Sequence, residues 1–283
     1  MKKQAFLSAV LLTSLIALTG CGSDDSTLIT VCASESPHAE ILEDVVAPIL
    51  EEEGYKLEVT VLDWTMQNDA VYNGDYDANY FQHRPYLQQY DGGSNNYDEN
   101  YAYTKVFPTV GVHFEPLRVY EGNRTAEEFE SIKNLSTTTY EICNDVSNEI
   151  RALDLLVSCG VIDSYETDED GNPIDSSLPS NITLIAEEQL AQSRSDYSYA
   201  VLPANSALTG NVEVKESLPT ETDDVASLRA NVLAANVSKY ASDNDYKAKI
   251  DALSDALLTT DVANYIDETY NNVLTPVQED YRA

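Results

Sequence analysis

Histidine, tryptophan, methionine and positive charge are all scarce in this chain. Its 283 residues include three histidines (His38, His83, His113), one tryptophan (Trp64), two methionines and four cysteines. Sixteen Lys+Arg stand against 49 Asp+Glu, a formal net charge of −33. That balance argues against nucleic acid and anionic lipid headgroups as partners, since both are bound by clustered basic side chains. The acidic excess reads as a solvated surface that keeps the protein soluble. There is no Gly-x-Ser-x-Gly, no His-Glu-x-x-His and no histidine with an acid at catalytic spacing, so a hydrolase reading has no motif to stand on. The expectation is a non-enzyme without a cofactor. Hydrophobic residues at 43% are enough for a core, which separates this chain from a disordered acidic tail. Its length suits two domains.

Long apolar runs are also missing after the first twenty residues. Lys2 and Lys3 precede an apolar run from Phe6 to Leu18, of signal-peptide length and short for a bilayer span. The run ends Leu18-Thr19-Gly20-Cys21, which resembles the lipobox of bacterial lipoproteins, where the cysteine is lipidated and becomes the first residue. Residues 1–20 are thus expected to be a leader and 21–27 a polar tether. The mature protein is expected outside the cytoplasm, held to the membrane by lipid on Cys21. Three thiols remain, Cys32, Cys143 and Cys159, an odd number for a disulfide framework. A helix from about Ser147 to Gly160 separates the last two by well over 15 Å at ~1.5 Å per residue, beyond the ~7 Å a disulfide allows. Buried free thiols are expected, with no Cys/His metal spacing.

Leu28–Ala33 is an apolar strand. Ser36-Pro37 offers a cap and a first-turn proline to a helix that Pro48 kinks and Gly54 stops. Leu57, Val59 and Val61 then alternate as a second strand. This βαβ order implies parallel strands covered by helices. Trp64 follows the second strand, either as core or as pocket wall at a carboxyl strand end. A helix runs on to Gly74. Val106–Phe114 is a strand, and Pro116–Tyr120 an extended crossing between domains. Thr125-x-x-Glu128 is a capping box. Thr138–Cys143 is a strand feeding the helix that carries Asn148 and Arg151 on one face of its first turn. An arginine near a helix N-terminus answers either to a bound anion or to one of the chain's own acids. Asp168-Glu169-Asp170-Gly171 resembles a calcium loop but reads as a solvated hairpin turn. Further strands are expected at Asn181–Ala186, Tyr199–Leu202 and Ala230–Ala235. Asn205 follows the second of these, to cap a short helix or meet a ligand. Two amphipathic helices, about Asp243–Leu258 and Asp261–Asn271, close the chain.

The densest stretch is Asp77-Ala78-Asn79-Tyr80-Phe81-Gln82-His83-Arg84-Pro85-Tyr86. Ala78–Phe81 reads as a strand that Pro85 ends. Strict alternation would turn Phe81 and His83 to one side and Tyr80 and Gln82 to the other, with Tyr86 in a turn beyond. Large rings with polar tips at a strand end suggest one wall of a ligand pocket.

These residues resemble the NlpA/MetQ group of lipoproteins, substrate-binding components of methionine ABC importers. The likeness rests on Ala33-Ser34 with Pro37-His38-Ala39-Glu40-Ile41-Leu42-Glu43, Asp77–His83 with Pro85-Tyr86, Val112-His113 with Glu115-Pro116, Asn144-Asp145 with Asn148-Glu149 and Arg151, and Ala200-Val201 with Asn205 and Ala207. It implies an α/β, two-lobed, periplasmic-binding-protein-like fold of the type II, Venus-flytrap kind, with a parallel-rich sheet in each lobe. Lobe I would be 28–116 with 228–283, and lobe II 117–227. It further implies a monomer that captures methionine, or a related amino acid, and hands it to a permease and ATPase complex. The side chain would lie among Trp64, Phe81, His83 and Tyr86. Arg151 would take the α-carboxylate, and Asn148 and Asn205 the polar head. Trp64 stands where many members have tyrosine, Cys143 where proline is usual, and Pro203 where asparagine is common. A methionyl dipeptide remains an alternative ligand. So does a metal held by the three histidines in a metal-importer lipoprotein, and, in a different class, a surface adhesin.

Overall fold

The computed structural model describes residues 26–282 apart from 96 and 272. The leader, Cys21 and most of the tether lie outside the described residues. β1 (Leu28–Ala33) opens the first sheet. Ser36 stays extended, with φ −129° and ψ 138°, and offers no side-chain cap, contrary to its expected role. Wide turns follow instead: Ala39 N–H donates to Ser34 O and Ala47 N–H to Leu42 O, each five residues back. They lead into α1 (Ala47–Glu52). Pro48 therefore sits in the first turn of α1, where its missing N–H costs nothing, and the wide turn ahead replaces the expected kink. Gly54, at φ +89°, ends the helix in the left-handed region that glycine adopts freely.

β2 (Lys56–Val61) lies parallel to β1 as an edge strand, with Val61 55% exposed. Asp63 caps α2 (Trp64–Asn73), and its carboxylate accepts from Thr65 N–H at 2.9 Å. β3 (Ala78–His83) pairs parallel with β1 on that strand's other side. It runs straight into α3 (Arg84–Asp91), with Pro85 in the first turn. Pro85 thus opens a helix, and Tyr86 is helical rather than in a turn. β4 (Val106–Phe114) completes this first run.

The chain then crosses to a second sheet. β5 (Arg118–Glu121) precedes α4 (Ala126–Ile132), which carries the full Thr125/Glu128 capping box. β6 (Tyr140–Cys143) leads to α5 (Val146–Ser158), capped by Asp145. β7 (Ile182–Ile185), α6 (Glu187–Ser193), β8 (Tyr199–Leu202) and α7 (Ala204–Thr209) follow. The second sheet has the order β5-β8-β6-β7, parallel except for β5. Its core packs Phe129, Tyr140, Leu153, Leu156 and Tyr199.

The return strand β9 (Ala230–Asn236) rejoins the first sheet, followed by α8 (Val237–Ser242), α9 (Asn244–Leu257), α10 (Thr260–Thr269) and β10 (Thr275–Asp280). The first sheet has the order β10-β4-β9-β3-β1-β2. β2, β1 and β3 are parallel; β9, β4 and β10 pair antiparallel. β10 was not expected from the sequence: its Pro276 and polar run fit only an edge strand. Ile29, Val31, Tyr80, Ile250, Leu253 and Ile266 form the core on one face.

One irregularity governs the cleft. Tyr80 pairs with Leu233 and Gln82 with Val232, so Phe81 is an extra residue in β3. Such a bulge shifts the alternation by one. Tyr80 turns into the core, where its hydroxyl meets His113 Nδ1 at 2.5 Å. Gln82 turns the opposite way and bonds Asn68 and Asn79. The expectation that Tyr80 and Gln82 share a side is corrected by this bulge. The three thiols are free, with Cys32 and Cys143 buried and Cys159 part-exposed rather than buried. Asp168 holds a hairpin turn through Asn172, and Thr167 pairs with Pro173.

Candidate functional site

The two sheets face each other across a cleft holding about 490 Å³ of non-atom space, open solvent included. The first sheet's side supplies Ser34, Trp64, Phe81, Gln82, His83, Tyr86, Glu115 and Asn231. The second supplies Asn148, Arg151, Glu187, Pro203 and Asn205. All seven residues singled out in the sequence lie in this wall. Glu115, Glu187 and Asn231 did not stand out there, because lone acids and amides in an acid-rich chain carry no spacing signal.

The rings form one cluster. Trp64 and Tyr86 centroids lie 5.4 Å apart, and Phe81 and Tyr86 6.0 Å apart in an edge-to-face contact. Tyr86 and His83 are 6.4 Å apart. His83 does double duty. Its Nδ1 accepts from Tyr86 N–H at 3.2 Å and so caps α3. Its Nε2–H is then left to donate to Asn148 Oδ1 at 3.1 Å, across the cleft. Burial, then the charges of Arg151 and Arg229, hold the His83 pKa well below the usual histidine value, so the ring is neutral.

Arg151 is 2% exposed and most of its fork is occupied. Nε and Nη2 grip the Glu221 carboxylate at 3.0 and 2.5 Å. The second Nη2 hydrogen reaches Glu115 O at 2.8 Å, and one Nη1 hydrogen reaches Asn148 Oδ1 at 3.1 Å. A guanidinium has five N–H donors, so one Nη1–H is left without an acceptor among the described residues, on a side chain that lines the cavity. Of the two readings of this arginine, the protein's own acid is therefore realised, with a single donor left over. Burial would raise the Glu221 carboxyl, but Arg151 holds it below the usual range.

Asn205 is not a cap; Pro203 occupies that position of α7. Its backbone N–H donates to Glu115 Oε2 at 3.1 Å and its Nδ2 to Glu187 Oε1 at 3.2 Å. Two atoms in the wall are buried without a partner among the described residues, Asn205 Oδ1 and Trp64 Nε1. Glu115 also accepts from His113 Nε2 at 2.9 Å, and His38 Nε2 lies 3.3 Å from the same carboxylate. These two histidines and Glu115 cluster; His83 stands apart, so the three histidines do not converge on one metal. His38 Nε2 also contacts Asn231 Oδ1 at 3.2 Å. Both neighbours of that nitrogen are acceptors, so it carries the proton in a neutral ring. Burial lowers the His38 pKa to about 4.

Three carboxyls move the other way. Burial raises Glu141, Glu149 and Glu187 to about 7, with Asp196, Asp175 and Asp145 respectively adding to it. Their unfolded values lie near ~4.3. The folded state therefore takes up protons first, and this contribution is complete below the unfolded pKa and lost as pH rises through about 7. His38 acts oppositely, weakening the fold only as pH falls from the unfolded histidine value, ~6.5, toward about 4. Stability is expected to rise from pH 8 to pH 6, by roughly 1 kcal/mol per carboxyl per pH unit below 7. Thermal melts across that window test it. Glu149→Gln should flatten the slope by about a third, one of three comparable carboxyls, and a melting temperature that falls on going from pH 8 to 6 contradicts the assignment.

A family model described as NlpA lipoprotein matches residues 29–278. The "Methionine-binding lipoprotein MetQ" of Bacillus subtilis (strain 168) is 30% identical, over 98% of this chain and 100% of that protein. The "D-methionine-binding lipoprotein MetQ" of Salmonella typhi is 27% identical, over 87% and 94%. The crystal structure of a lipoprotein from Ruminococcus gnavus ATCC 29149 superposes with a TM-score of 0.71 at 30% identity, covering 89% of this chain and 99% of that one.

Proposed function

Because the chain belongs to the NlpA lipoprotein family, we propose that it captures methionine or a related α-amino acid outside the cytoplasm and delivers it to an ABC importer. The single observation that carries this is the cleft: one spare guanidinium donor on one side, a cage of rings on the other, and acceptors between. The α-carboxylate goes to the free Nη1–H of Arg151 and to Asn148 Nδ2, whose Oδ1 is already taken. The α-ammonium goes to Glu115 and to the orphaned Asn205 Oδ1. The side chain lies on Trp64, Phe81, His83 and Tyr86, where a thioether gains ~0.3–1.5 kcal/mol per ring contact. Buried Arg151 and Asn205 left unmatched disfavour ligands without the amino-acid head. Delivery implies a membrane-tethered chain, with Cys21 as the lipidated residue, working as a monomer with a permease and its ATPase; no helix among the described residues is long and apolar enough to cross a membrane.

L-Methionine at a hundred times its Kd is expected to stabilise the fold by ~2.7 kcal/mol, seen as a higher melting temperature. Calorimetry against free amino acids, both methionine enantiomers and methionyl dipeptides then ranks the class. Indifference to all of them, or a shift produced only by divalent metal, refutes the reading.

A further inference from the structure

One end of the cleft gathers acidic side chains and, among the described residues, no basic one. Trp64, Phe81 and Tyr86 line it together, in tilted and edge-to-face contacts, and the face of an aromatic ring is the negative part of its quadrupole. Glu187 stands in the same wall. Its Oε1 is held by Asn205 Nδ2 at 3.2 Å and Ser206 Oγ at 3.1 Å, and its Oε2 has no protein partner among the described residues. Behind it, Cys143 and Asp145 bring their Sγ and carboxylate oxygens within 4.8 Å of the Glu187 carboxylate. The Tyr86 hydroxyl shares that surrounding: burial first, then Asp145 and Glu187, push its ionisation up. Among the described residues no cation in the wall offsets these groups. Arg151 is the one basic side chain in the wall apart from neutral His83, and Glu221 already neutralises it.

A neutral thioether needs apolar contact and nothing more. A carboxylate behind three rings is the arrangement that holds a compact, weakly hydrated cation. Tryptophan is the strongest of the rings for this purpose, and here it lines the site. A primary ammonium or a guanidinium brings several N–H donors that ring faces cannot satisfy. A methylated cation brings none.

We propose that the ligand is an α-amino acid of methionine's length whose side chain ends in a methylated onium group, a sulfonium or quaternary ammonium, caged by Trp64, Phe81 and Tyr86 with Glu187 as counter-ion. The inference rests on the reading of the cleft as an amino-acid site.

The test is calorimetry on the full chain in detergent with three probes. These are L-methionine, S-methyl-L-methionine, and the uncharged carbon isostere in which CH replaces S⁺. The sulfonium is expected to bind tighter than its isostere by on the order of tenfold or more, as cation–π contacts out of water allow. Glu187→Gln should narrow that ratio to within about threefold, since the rings alone remain. The isostere keeps the comparison meaningful even where the variant folds poorly. If sulfonium and isostere bind equally well, the onium inference is overturned and the amino-acid reading stands. If no probe and no other amino acid binds, the amino-acid reading falls and this inference with it. A ratio undiminished in Glu187→Gln removes Glu187 from the role.

Discussion

Arg151→Ala is expected to abolish the thermal shift produced by L-methionine and to lower folding stability by roughly 3–5 kcal/mol. The two losses have different origins. Binding goes because the free Nη1–H is the only basic donor in the wall. Stability goes because Glu221, with its side chain 11% exposed, is left as a nearly buried carboxylate without its two-pronged guanidinium partner. Burial then raises its pKa against only the Leu117 N–H bond and the more distant Arg229, so the variant should regain stability as pH falls toward the carboxyl range and lose it as pH rises. Glu115 O and Asn148 Oδ1 lose a donor as well. Adding Glu221→Gln should recover part of the stability and none of the binding. Arg151→Lys keeps the charge but cannot span both oxygens of Glu221 together with Asn148 and Glu115 O, so it should fold better than the alanine variant and still bind poorly. Chemical denaturation and calorimetry on the three variants separate these terms. A destabilised Arg151→Ala that binds methionine with unchanged affinity would falsify the carboxylate assignment and leave only the structural role.

The cleft was legible in outline because its strongest residues are chemically rare in this chain. One tryptophan and three histidines among 283 residues make any clustering visible. Trp64 and His83 stand out for that reason, Phe81 and Tyr86 because they share one dense stretch with His83, and Arg151 because an arginine near a helix N-terminus needs an anionic partner. The acids could not stand out. Glu115, Glu187 and Glu221 are three among 49 from three separate segments, the first two lining the cleft and the third holding Arg151. Short local signals also read correctly where one side chain decides the outcome, as at the Thr125/Glu128 box and at Gly54. What failed was whatever depends on a neighbouring strand. The extra residue at Phe81 exists only because β9 pairs across it, and no alternation rule applied to β3 alone detects it. β10 is similar: a six-residue stretch with four polar residues and a proline becomes a strand because β4 offers an edge. Asn205 looked like a cap because Pro203, with no N–H of its own, did not look like a helix start.

Glu115→Gln is expected to be nearly as damaging as the loss of Arg151, although the shape is unchanged. Glu115 ends the first run of the first sheet and joins both sides of the cleft. Oε1 accepts from His113 with His38 Nε2 alongside it, and Oε2 accepts from Asn205 N–H in α7. Every group aimed at the carboxylate is a donor. A glutamine has one oxygen and one NH₂, so either orientation sets donor against donor. With its oxygen toward the histidines, NH₂ faces Asn205 N–H and the contact between the two sides is lost. Turned over, NH₂ faces two ring N–H groups. His113 can answer by moving its proton to Nδ1, because the Tyr80 hydroxyl accepts as readily as it donates. His38 cannot answer in the same way: its Nε2 also faces Asn231 Oδ1, and its Nδ1 is buried with no partner. Hydrogen bonds to a charged group are worth ~1.5–3 kcal/mol each, so a loss of roughly 2–4 kcal/mol in folding stability is expected. Methionine affinity should fall by about a hundredfold, the ammonium having lost its carboxylate and the cleft one of its latches. Small-angle scattering with saturating methionine should show a larger radius of gyration than the parent under the same conditions. His113→Gln, which removes one donor and leaves the carboxylate charged, should cost less in affinity than in stability. Equal affinity in Glu115→Gln and the parent would mean that the carboxylate holds the histidines in place and has no contact with the ligand.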